Sequence, residues 1–172
     1  DLEGAVAPES KAAARAAMID HALNPERVIV RVNAPDTEAF AYDRAALSQT
    51  NYRRVMVAKA EDSDALDALA AYELIALCET ARGIVAAETL AAHPAVVALM
   101  WGAEDLVASL GGTSSRTADG RYRDVARHAR SRVLLAAGAH GRAAIDSVYL
   151  DITGLDGLRA EAVDAAASGF TA

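Results

Sequence analysis

Four ionisable residues lie at or just beyond the ends of successive short apolar segments: Arg31, Lys59, Glu79 and Asp105. Two carboxylates with open coordination positions suit Mg²⁺, which keeps several waters and shares its ligands with a substrate. An arginine nearby would bind a carboxylate through two hydrogen bonds or stabilise a developing enolate. These residue types predict a metal-assisted reaction. The alternative is the ordinary charge found wherever strands meet loops.

The apolar segments have the composition of parallel strands buried on both faces. They are Val28–Val32, Arg54–Ala58, Leu74–Cys78, Val97–Trp101 and Ser147–Leu150. Alanine-rich stretches of helical character alternate with them, at Glu9–Ala22, Glu38–Gln49, Ser63–Ala71, Ala81–Ala92, Ala103–Leu110, Asp119–Gly138 and about Gly157–Ala167. This alternation predicts an α/β fold with a parallel sheet. The carboxyl ends of parallel strands meet on one face, where the ionisable side chains would converge.

Composition excludes several classes of function. The 172 residues are 53% hydrophobic, and 17 Lys+Arg against 24 Asp+Glu give a net charge of −7, which argues against a nucleic-acid partner. No apolar run approaches the roughly 20 residues of a membrane span, and no signal segment opens the chain. The lone Cys78 excludes an internal disulfide and an all-thiolate metal site. We therefore expect a cytoplasmic protein that binds neither nucleic acid nor membrane.

Three sequence blocks resemble the signatures of the citrate lyase β-subunit family, also called the HpcH/HpaI aldolase group. The blocks are VRVN at 30–33, LCETARG at 77–83 and MWGAEDL at 100–106. The opening DLEGAVAPESK at 1–11 is similar to the family's block at the end of the second barrel strand. The resemblance runs almost from end to end of the chain.

The resemblance implies a (β/α)8 TIM barrel of the phosphoenolpyruvate/pyruvate type. It implies a carbon–carbon lyase that cleaves or forms a 3-hydroxyacyl-CoA thioester such as citryl-, malyl- or citramalyl-CoA, yielding acetyl-CoA and a 2-oxo acid. A homo-oligomer, either a trimer or a hexamer, is also implied. A barrel of this kind needs about 250 residues. We therefore expect one domain over 1–172 that lacks the first strand and helix, the last strand and the C-terminal lid.

The resemblance also assigns roles to individual residues. Glu79 and Asp105 would be the Mg²⁺ ligands. Arg31 would stabilise the enolate oxygen or clamp the acid, and Glu3 would take part in catalysis. Backbone amides around three residues would hold the carboxylate of the 2-oxo acid, namely Gly102, Ala103 and Asp105.

Two positions depart from the family pattern. The opening block usually reads Asp-Leu-Glu-Asp, but the fourth residue here is Gly4, so that one acidic side chain is missing. The block that usually reads Pro-Lys-x-Glu is AKAE at 58–61, which retains Lys59. Gly4 motivates an alternative function, that of a catalytically weak member acting as a binding or scaffold subunit. A third possibility is the same metal site acting on a hydroxy-oxo acid without CoA.

Several other residues have competing interpretations. Lys59 at a strand end would form a Schiff base in the other aldolase mechanism, but an ion pair with Glu61, Glu79 or a neighbouring acid is favoured. Cys78 is expected to be a buried hydrophobe rather than a nucleophile. Trp101 is expected to pack the barrel. The four histidines at 21, 93, 128 and 140 are expected to be surface or packing residues.

The remaining charged residues are assigned lesser roles. Glu104 is expected to hold a loop. Arg82 would either orient Glu79 or lie on the helix surface. A basic run is expected to form a solvated face, with contact to CoA phosphates or a neighbouring subunit as the alternative; it contains Arg121, Arg123, Arg127, Arg130 and Arg132.

Overall fold

A single parallel sheet organises the chain. The computed structural model describes residues 1–21 and 23–172. The described residues form five strands in the order β1-β2-β3-β4-β5, and each strand from β2 onward pairs in parallel with the strand that precedes it in the chain. Their bounds are β1 Ile29–Val32, β2 Arg54–Val57, β3 Glu73–Cys78, β4 Val96–Trp101 and β5 Ala143–Ile145. The predicted α/β class with a parallel sheet is confirmed.

Helices form most of the connections between the strands. They are α1 Lys11–Asp20, α2 Glu38–Leu47, α3 Ala81–Val85, α4 Ala87–Ala92, α5 Ala103–Ser109, α6 Asp124–Ala139 and α7 Leu155–Ser168. Short 3-10 helices occupy Pro8–Ser10, Pro25–Arg27 and Asp64–Leu69. Among the described residues, no helix is long and apolar enough to cross a membrane.

The core lies on both faces of the sheet. In β3 every residue from Leu74 to Cys78 is buried, which explains why this segment is apolar without alternation. The largest fully buried side chain is Trp101, the last residue of β4. Because apolar burial is the main favourable contribution to folding, this core fixes the positions of the strand ends that carry the ionisable residues.

Backbone hydrogen bonds extend the sheet beyond its outer strands. The Leu2 amide donates to the Arg31 carbonyl at 2.9 Å, which places the first residues of the chain beside β1. At the other side, the Thr171 amide donates to the Ala144 carbonyl and the Asp146 amide to the Ala172 carbonyl, each at 2.8 Å. The first of these contacts brings Glu3 to the carboxyl end of β1.

The first four predicted strands are confirmed to within one residue at each end, but the fifth is wrong. β5 covers Ala143–Ile145, and the predicted segment Ser147–Leu150 lies beyond it. Val148 and Leu150 are 60% and 55% exposed, so this segment is not a buried strand. The two alanines of β5 have low strand propensity. By contrast, Val148 and Tyr149 after it have high strand propensity, and Leu150 is apolar. Local composition therefore misplaced the strand.

Four helix predictions need correction. Ser63–Ala71 contains the 3-10 helix Asp64–Leu69, and Ala81–Ala92 is divided into α3 and α4 at Ala86. The helix predicted over Asp119–Gly138 begins only at Asp124, since Arg116 and Tyr122 form an antiparallel bridge in the preceding loop. The helix predicted over Glu9–Ala22 is α1, Lys11–Asp20, and position 22 lies outside the described residues.

Candidate active site

Four charged side chains meet at the carboxyl edge of the sheet and form what we call the carboxylate cluster: Glu3, Lys59, Glu79 and Asp105. Lys59 follows β2 by two residues, Glu79 follows β3 directly, and Asp105 is the third residue of α5. Because the strands are parallel, these positions share one edge. The predicted convergence of residues from successive strand ends is confirmed.

Lys59 is the centre of the carboxylate cluster. Its Nζ donates to Glu3 Oε1 at 2.7 Å and lies 3.8 Å from Glu79 Oε1 and 3.7 Å from Asp105 Oδ1. Its backbone adopts a left-handed conformation, with φ of 47°, and its amide donates to Glu79 Oε1 at 3.1 Å. Such a conformation is costly for a residue with a Cβ and is common at functional sites. The ion-pair interpretation of Lys59 is confirmed, with Glu3 as its nearest acid.

Burial and neighbouring charges shift the pKa values of Glu79 and Glu3 in opposite directions. Burial raises the pKa of Glu79 to about 7, and the nearby charge of Asp105 adds to this effect. Burial also raises the pKa of Glu3, but the hydrogen bond and charge of Lys59 and the charge of Arg31 outweigh it, so that the pKa lies below its usual value. Burial lowers the pKa of Lys59, yet its bond to Glu3 and the charge of Glu79 raise it overall. A protonated lysine is a poor nucleophile, which disfavours a Schiff base.

Arg31 lies in β1 beside this cluster. Its Nε and NH2 donate to the two carboxylate oxygens of Asp1 at 2.8 and 2.7 Å, and its NH1 lies 3.6 Å from Glu3 Oε2. The Arg31 side chain is 31% exposed, so that solvent and small molecules reach it. Asp1 was not predicted, because nothing in the local sequence indicates that the first residue pairs with a strand 30 positions away.

The turn between β4 and α5 packs tightly against Glu79. A Cβ at Gly102 would lie 2.8 Å from Glu79 Cβ and 3.0 Å from its Oε2, so only glycine fits there. The Gly102 amide donates to the Cys78 carbonyl at 3.2 Å and the Ala103 amide to Ser147 Oγ at 3.3 Å. These two predicted substrate-binding amides are therefore already engaged, and their role stays a prediction.

A side chain at position 4 would lie against Arg31. The nearest atom to a Cβ built on Gly4 is NH2 of Arg31, at 3.7 Å. The Gly4 amide donates to Glu3 Oε2 at 2.6 Å. An acidic side chain at this position would therefore face Arg31 without a backbone clash.

Glu79 and Asp105 are the donors that the carboxylate cluster offers to Mg²⁺. Within 1–21 and 23–172, no group of three or more His, Cys, Asp or Glu side chains is arranged to hold a metal. Mg²⁺, however, is commonly held by one or two carboxylates, with waters and substrate completing the octahedron. Glu79 is 3% exposed and Asp105 is about half exposed, so that one ligand is fixed and the other faces solvent. Both carboxylates already face one cation, the Lys59 ammonium, and they fit a divalent ion with open positions.

Other predicted assignments are settled by burial. Cys78 is fully buried, and burial raises the pKa of its thiol to about 12, so it is a core residue rather than a nucleophile. Trp101 is fully buried as predicted. Glu104 Oε1 accepts a hydrogen bond from Ser115 Oγ at 2.5 Å and holds the loop after α5. Arg82 is 79% exposed and lies 3.6 Å from Glu61, which places it on the helix surface.

The histidines show no ligand spacing. His93 is buried, with Nε2 at 3.1 Å from Asp67 Oδ1, and it accepts a hydrogen bond from the Ala95 amide at Nδ1. His21 is exposed and contacts the Ala17 carbonyl. These positions agree with packing and surface roles.

The basic run, which begins in the loop before α6 and continues into it, is only partly a solvated face, which corrects the prediction. Arg121 and Arg127 pair with exposed acids nearby in sequence. Arg132 instead donates to the carbonyls of Ile84 and Val85, which ties α6 to α3. Arg130 donates to Asp146 and is only 19% exposed.

Sequence reasoning missed a second charged group, which we call the arginine cluster: Arg116, Arg130, Asp146, Glu161 and Asp164. Arg116 donates to both oxygens of Glu161, at 2.6 and 3.0 Å. Arg130 donates to Asp146 Oδ2 at 2.9 and 2.7 Å and to Asp164 at 2.8 Å. The hydrogen bond to Asp146 holds the pKa of Arg130 above its usual value. Arg116 and Glu161 are 45 residues apart, and no local pattern links them.

Known proteins similar to this chain identify its family. The family model described as HpcH/HpaI aldolase/citrate lyase matches residues 1–172. A citrate lyase subunit beta-like protein of Mycobacterium tuberculosis is 56% identical over 170 residues, covering 99% of this chain and 62% of that protein. A (3S)-malyl-CoA thioesterase of Cereibacter sphaeroides is 34% identical over 183 residues, covering 99% of this chain and 61% of that protein. The chain thus spans about three-fifths of the length of both relatives.

A solved structure agrees with this result. The citrate lyase beta subunit of M. tuberculosis complexed with oxaloacetate and magnesium superposes with a TM-score of 0.97 at 56% identity, covering 99% of this chain and 76% of that one. The predicted family is confirmed on sequence and on structure. The chain belongs to the HpcH/HpaI aldolase/citrate lyase family.

Proposed function

We propose that this chain carries the metal site of a Mg²⁺-dependent carbon–carbon lyase. Its substrate would be a 3-hydroxyacyl-CoA thioester, such as citryl-, malyl- or citramalyl-CoA. The products would be acetyl-CoA and a 2-oxo acid. The observation that carries the proposal is the convergence of Glu79 and Asp105 on one cation, 3.8 and 3.7 Å from Lys59 Nζ. The related M. tuberculosis structure with magnesium and oxaloacetate supports the choice of metal and acid.

The chemistry needs a polarised carbonyl and a stabilised enolate. When bound, magnesium supplies Lewis-acid polarisation of the substrate carbonyl. Arg31 would stabilise the enolate oxygen of the acetyl-CoA half or clamp the acid, since its guanidinium is partly exposed beside the carboxylate cluster. Glu3, held ionised by Lys59 and Arg31, is the acid of the opening block that lies in the carboxylate cluster, and it would accept a proton.

The first turn of α5 would bind the carboxylate of the 2-oxo acid. The backbone amides around Gly102, Ala103 and Asp105 belong to the turn that carries Asp105, and Gly102 packs against Glu79. The partial positive charge of a helix N-terminus favours an anion there. For the Ala103 amide to contribute, Ser147 Oγ must release it or bridge to the substrate, because this hydroxyl accepts its hydrogen bond at 3.3 Å.

A second candidate function is favoured by one observation. Gly4 replaces the family acid, and a Cβ built there would lie 3.7 Å from NH2 of Arg31 without a clash. A chain without that acid would bind metal and ligands but turn over slowly, and would then act as a binding or scaffold subunit. Gly4→Asp restores the acid, and a large gain in rate with unchanged metal affinity would favour this second function for the natural chain.

Activity and metal binding together test the proposal. The purified full-length protein that contains residues 1–172 is mixed with Mg²⁺, acetyl-CoA and a panel of oxaloacetate, pyruvate and glyoxylate, and thioester condensation and cleavage are followed. We expect turnover with at least one acid and its loss in Glu79→Gln, with Glu161→Gln as the matched control in the arginine cluster. Cleavage of a hydroxy-oxo acid without CoA would indicate the third possibility. No turnover with any acid, together with no Mg²⁺ binding by calorimetry, would exclude the enzyme.

The architecture, assembly and location of the protein are part of the same proposal. We propose that residues 1–172 belong to a single (β/α)8 barrel domain, which the backbone bonds beyond both outer strands support.

Exposed apolar side chains near α7, among them Ile152 at 90% and Leu155 at 69%, support a homo-oligomer, a trimer or a hexamer. Light scattering of the purified protein measures its size. The single, buried Cys78 agrees with a cytoplasmic location.

A further inference from the structure

Asp146 holds together three parts of the molecule. It follows β5 directly, and its side chain is 17% exposed. Its Oδ1 accepts hydrogen bonds from Trp101 Nε1 at 2.6 Å and from the Ser147 amide at 2.9 Å. Its Oδ2 accepts from Nε and NH2 of Arg130 at 2.9 and 2.7 Å. The carboxylate therefore joins the end of β4 to α6 through directional, charge-assisted bonds.

The same segment also binds the next turn of the chain. Trp101 is the last residue of β4, and two residues later the Ala103 amide donates to Ser147 Oγ. The β4–α5 turn is thus fixed at two points by the two residues that follow β5. On its other side, Gly102 packs against Glu79 with no room for a Cβ. This turn carries Asp105 into the carboxylate cluster.

We infer that Asp146 is a positioning residue for the metal site: by fixing Trp101 it sets the β4–α5 turn, and with it the placement of Asp105 relative to Glu79. This inference rests on the proposed function. Removing the negative charge would leave the partly buried Arg130 with a weaker partner and would weaken the hydrogen bond that Trp101 Nε1 donates. Groups that hydrogen-bond directly to metal ligands typically change metal affinity about 10- to 100-fold when they are lost, and we expect the lower end of that range here because Asp146 acts through Trp101.

Two measurements on matched variants test the inference. Mn²⁺ affinity is measured by electron paramagnetic resonance for the wild type, Asp146→Asn and Asp164→Asn. The control variant removes the same charge from the other acid bonded to Arg130 but does not touch Trp101. We expect about a tenfold or larger loss of affinity in Asp146→Asn and less than a twofold change in Asp164→Asn. Trp101 is the only tryptophan, so its emission should shift in Asp146→Asn alone.

Each outcome decides between the inference and the proposed function. If the wild type binds no Mn²⁺, both fail. If it binds and Asp146→Asn binds equally well although its tryptophan emission has shifted, only the inference fails. If Asp146→Asn does not fold, Trp101→Phe replaces it, since this variant removes the Nε1 donor and keeps an aromatic ring. Weaker Mn²⁺ binding by folded Trp101→Phe supports the inference, and unchanged binding overturns it.

Discussion

The carboxylate cluster and the arginine cluster contain the same kinds of charge but bond them differently. In the arginine cluster, guanidinium groups donate directly to Asp146, Glu161 and Asp164 at 3.0 Å or less. In the carboxylate cluster the Lys59 ammonium is shared by three acids, and of these only Glu3 lies within hydrogen-bond distance of it. Glu79 and Asp105 lie 3.8 and 3.7 Å away.

On the proposed function, this difference separates a group of charges that fixes the fold from a group that binds metal. Acids with bidentate partners are satisfied and fix the fold. A buried acid without enough cationic partners has a raised pKa, as burial and the charge of Asp105 produce at Glu79. Such a site gains from a cation of higher charge, whereas a satisfied cluster does not. We therefore predict that Mg²⁺ stabilises the carboxylate cluster and has no effect on the arginine cluster.

The largest effect is expected from filling the space beside Glu79. In Gly102→Ala the new methyl would meet Glu79 Cβ at 2.8 Å, so the acid must move. We expect a loss of about 1–3 kcal/mol in unfolding free energy and about a tenfold or larger loss of Mg²⁺ affinity. Gly138→Ala is the matched control, because nothing lies within 4 Å of a Cβ there. It should stabilise α6 by about 0.5–1 kcal/mol. Equal metal affinity in both variants would contradict the predicted contact.

Removing the shared ammonium is the next test. Lys59→Met leaves Glu3, Glu79 and Asp105 without their common cation, and we expect about 1–2 kcal/mol lower unfolding free energy without metal. Millimolar Mg²⁺ should recover most of this loss, because a divalent ion replaces the ammonium. Arg116→Met removes a cation from the arginine cluster, and Mg²⁺ should not restore its stability. Thermal melts with and without Mg²⁺ measure both effects, and equal recovery would remove the distinction between the clusters.

The pH dependence of stability follows from the raised pKa of Glu79. Burial brings this pKa from 4.5 to about 7, so the folded protein holds a proton that the unfolded chain releases. The penalty for ionised Glu79 is absent below about pH 4.5, grows as the pH rises towards 7 and is constant above it. Glu79→Gln removes the penalty. Its melting temperature relative to wild type, measured with a chelator present, should therefore rise between pH 5 and pH 8. A difference independent of pH would contradict the raised pKa.

The smallest effect is expected at an exposed ion pair of α6. Arg127 pairs with Asp124, and their side chains are 67% and 92% exposed. Arg127→Gln should change the unfolding free energy by less than about 0.5 kcal/mol and leave Mg²⁺ affinity unchanged. Chemical denaturation measures the first and calorimetry the second. A loss above about 1 kcal/mol would place Arg127 among the structural arginines and not on the solvated face.

Repeated βα units made much of the site predictable. Apolar runs located the first four strands, and a parallel sheet then required Lys59, Glu79 and Asp105 to share one edge. The contacts that fix them were not predictable in the same way. The left-handed backbone of Lys59 and the Trp101–Asp146 bond depend on how distant segments pack, which no local composition encodes.

The errors have the same origin. β5 is short and rich in alanine, so its strand character comes from pairing with β4 rather than from propensity. The basic run of α6 looked like a solvated face because its partners, among them Asp146 and the Ile84 carbonyl, come from other segments. Residue types at strand ends were informative, whereas long-range partners required the structure.

Calorimetric titration of Mg²⁺ tests the central claim most directly. The account predicts one bound Mg²⁺ per chain in the wild type and in Asp164→Asn, and no measurable binding in Asp105→Asn, with circular dichroism confirming that all three proteins are folded. The same stoichiometry and affinity in Asp105→Asn as in the wild type would contradict it, because Asp105 would then not hold the metal.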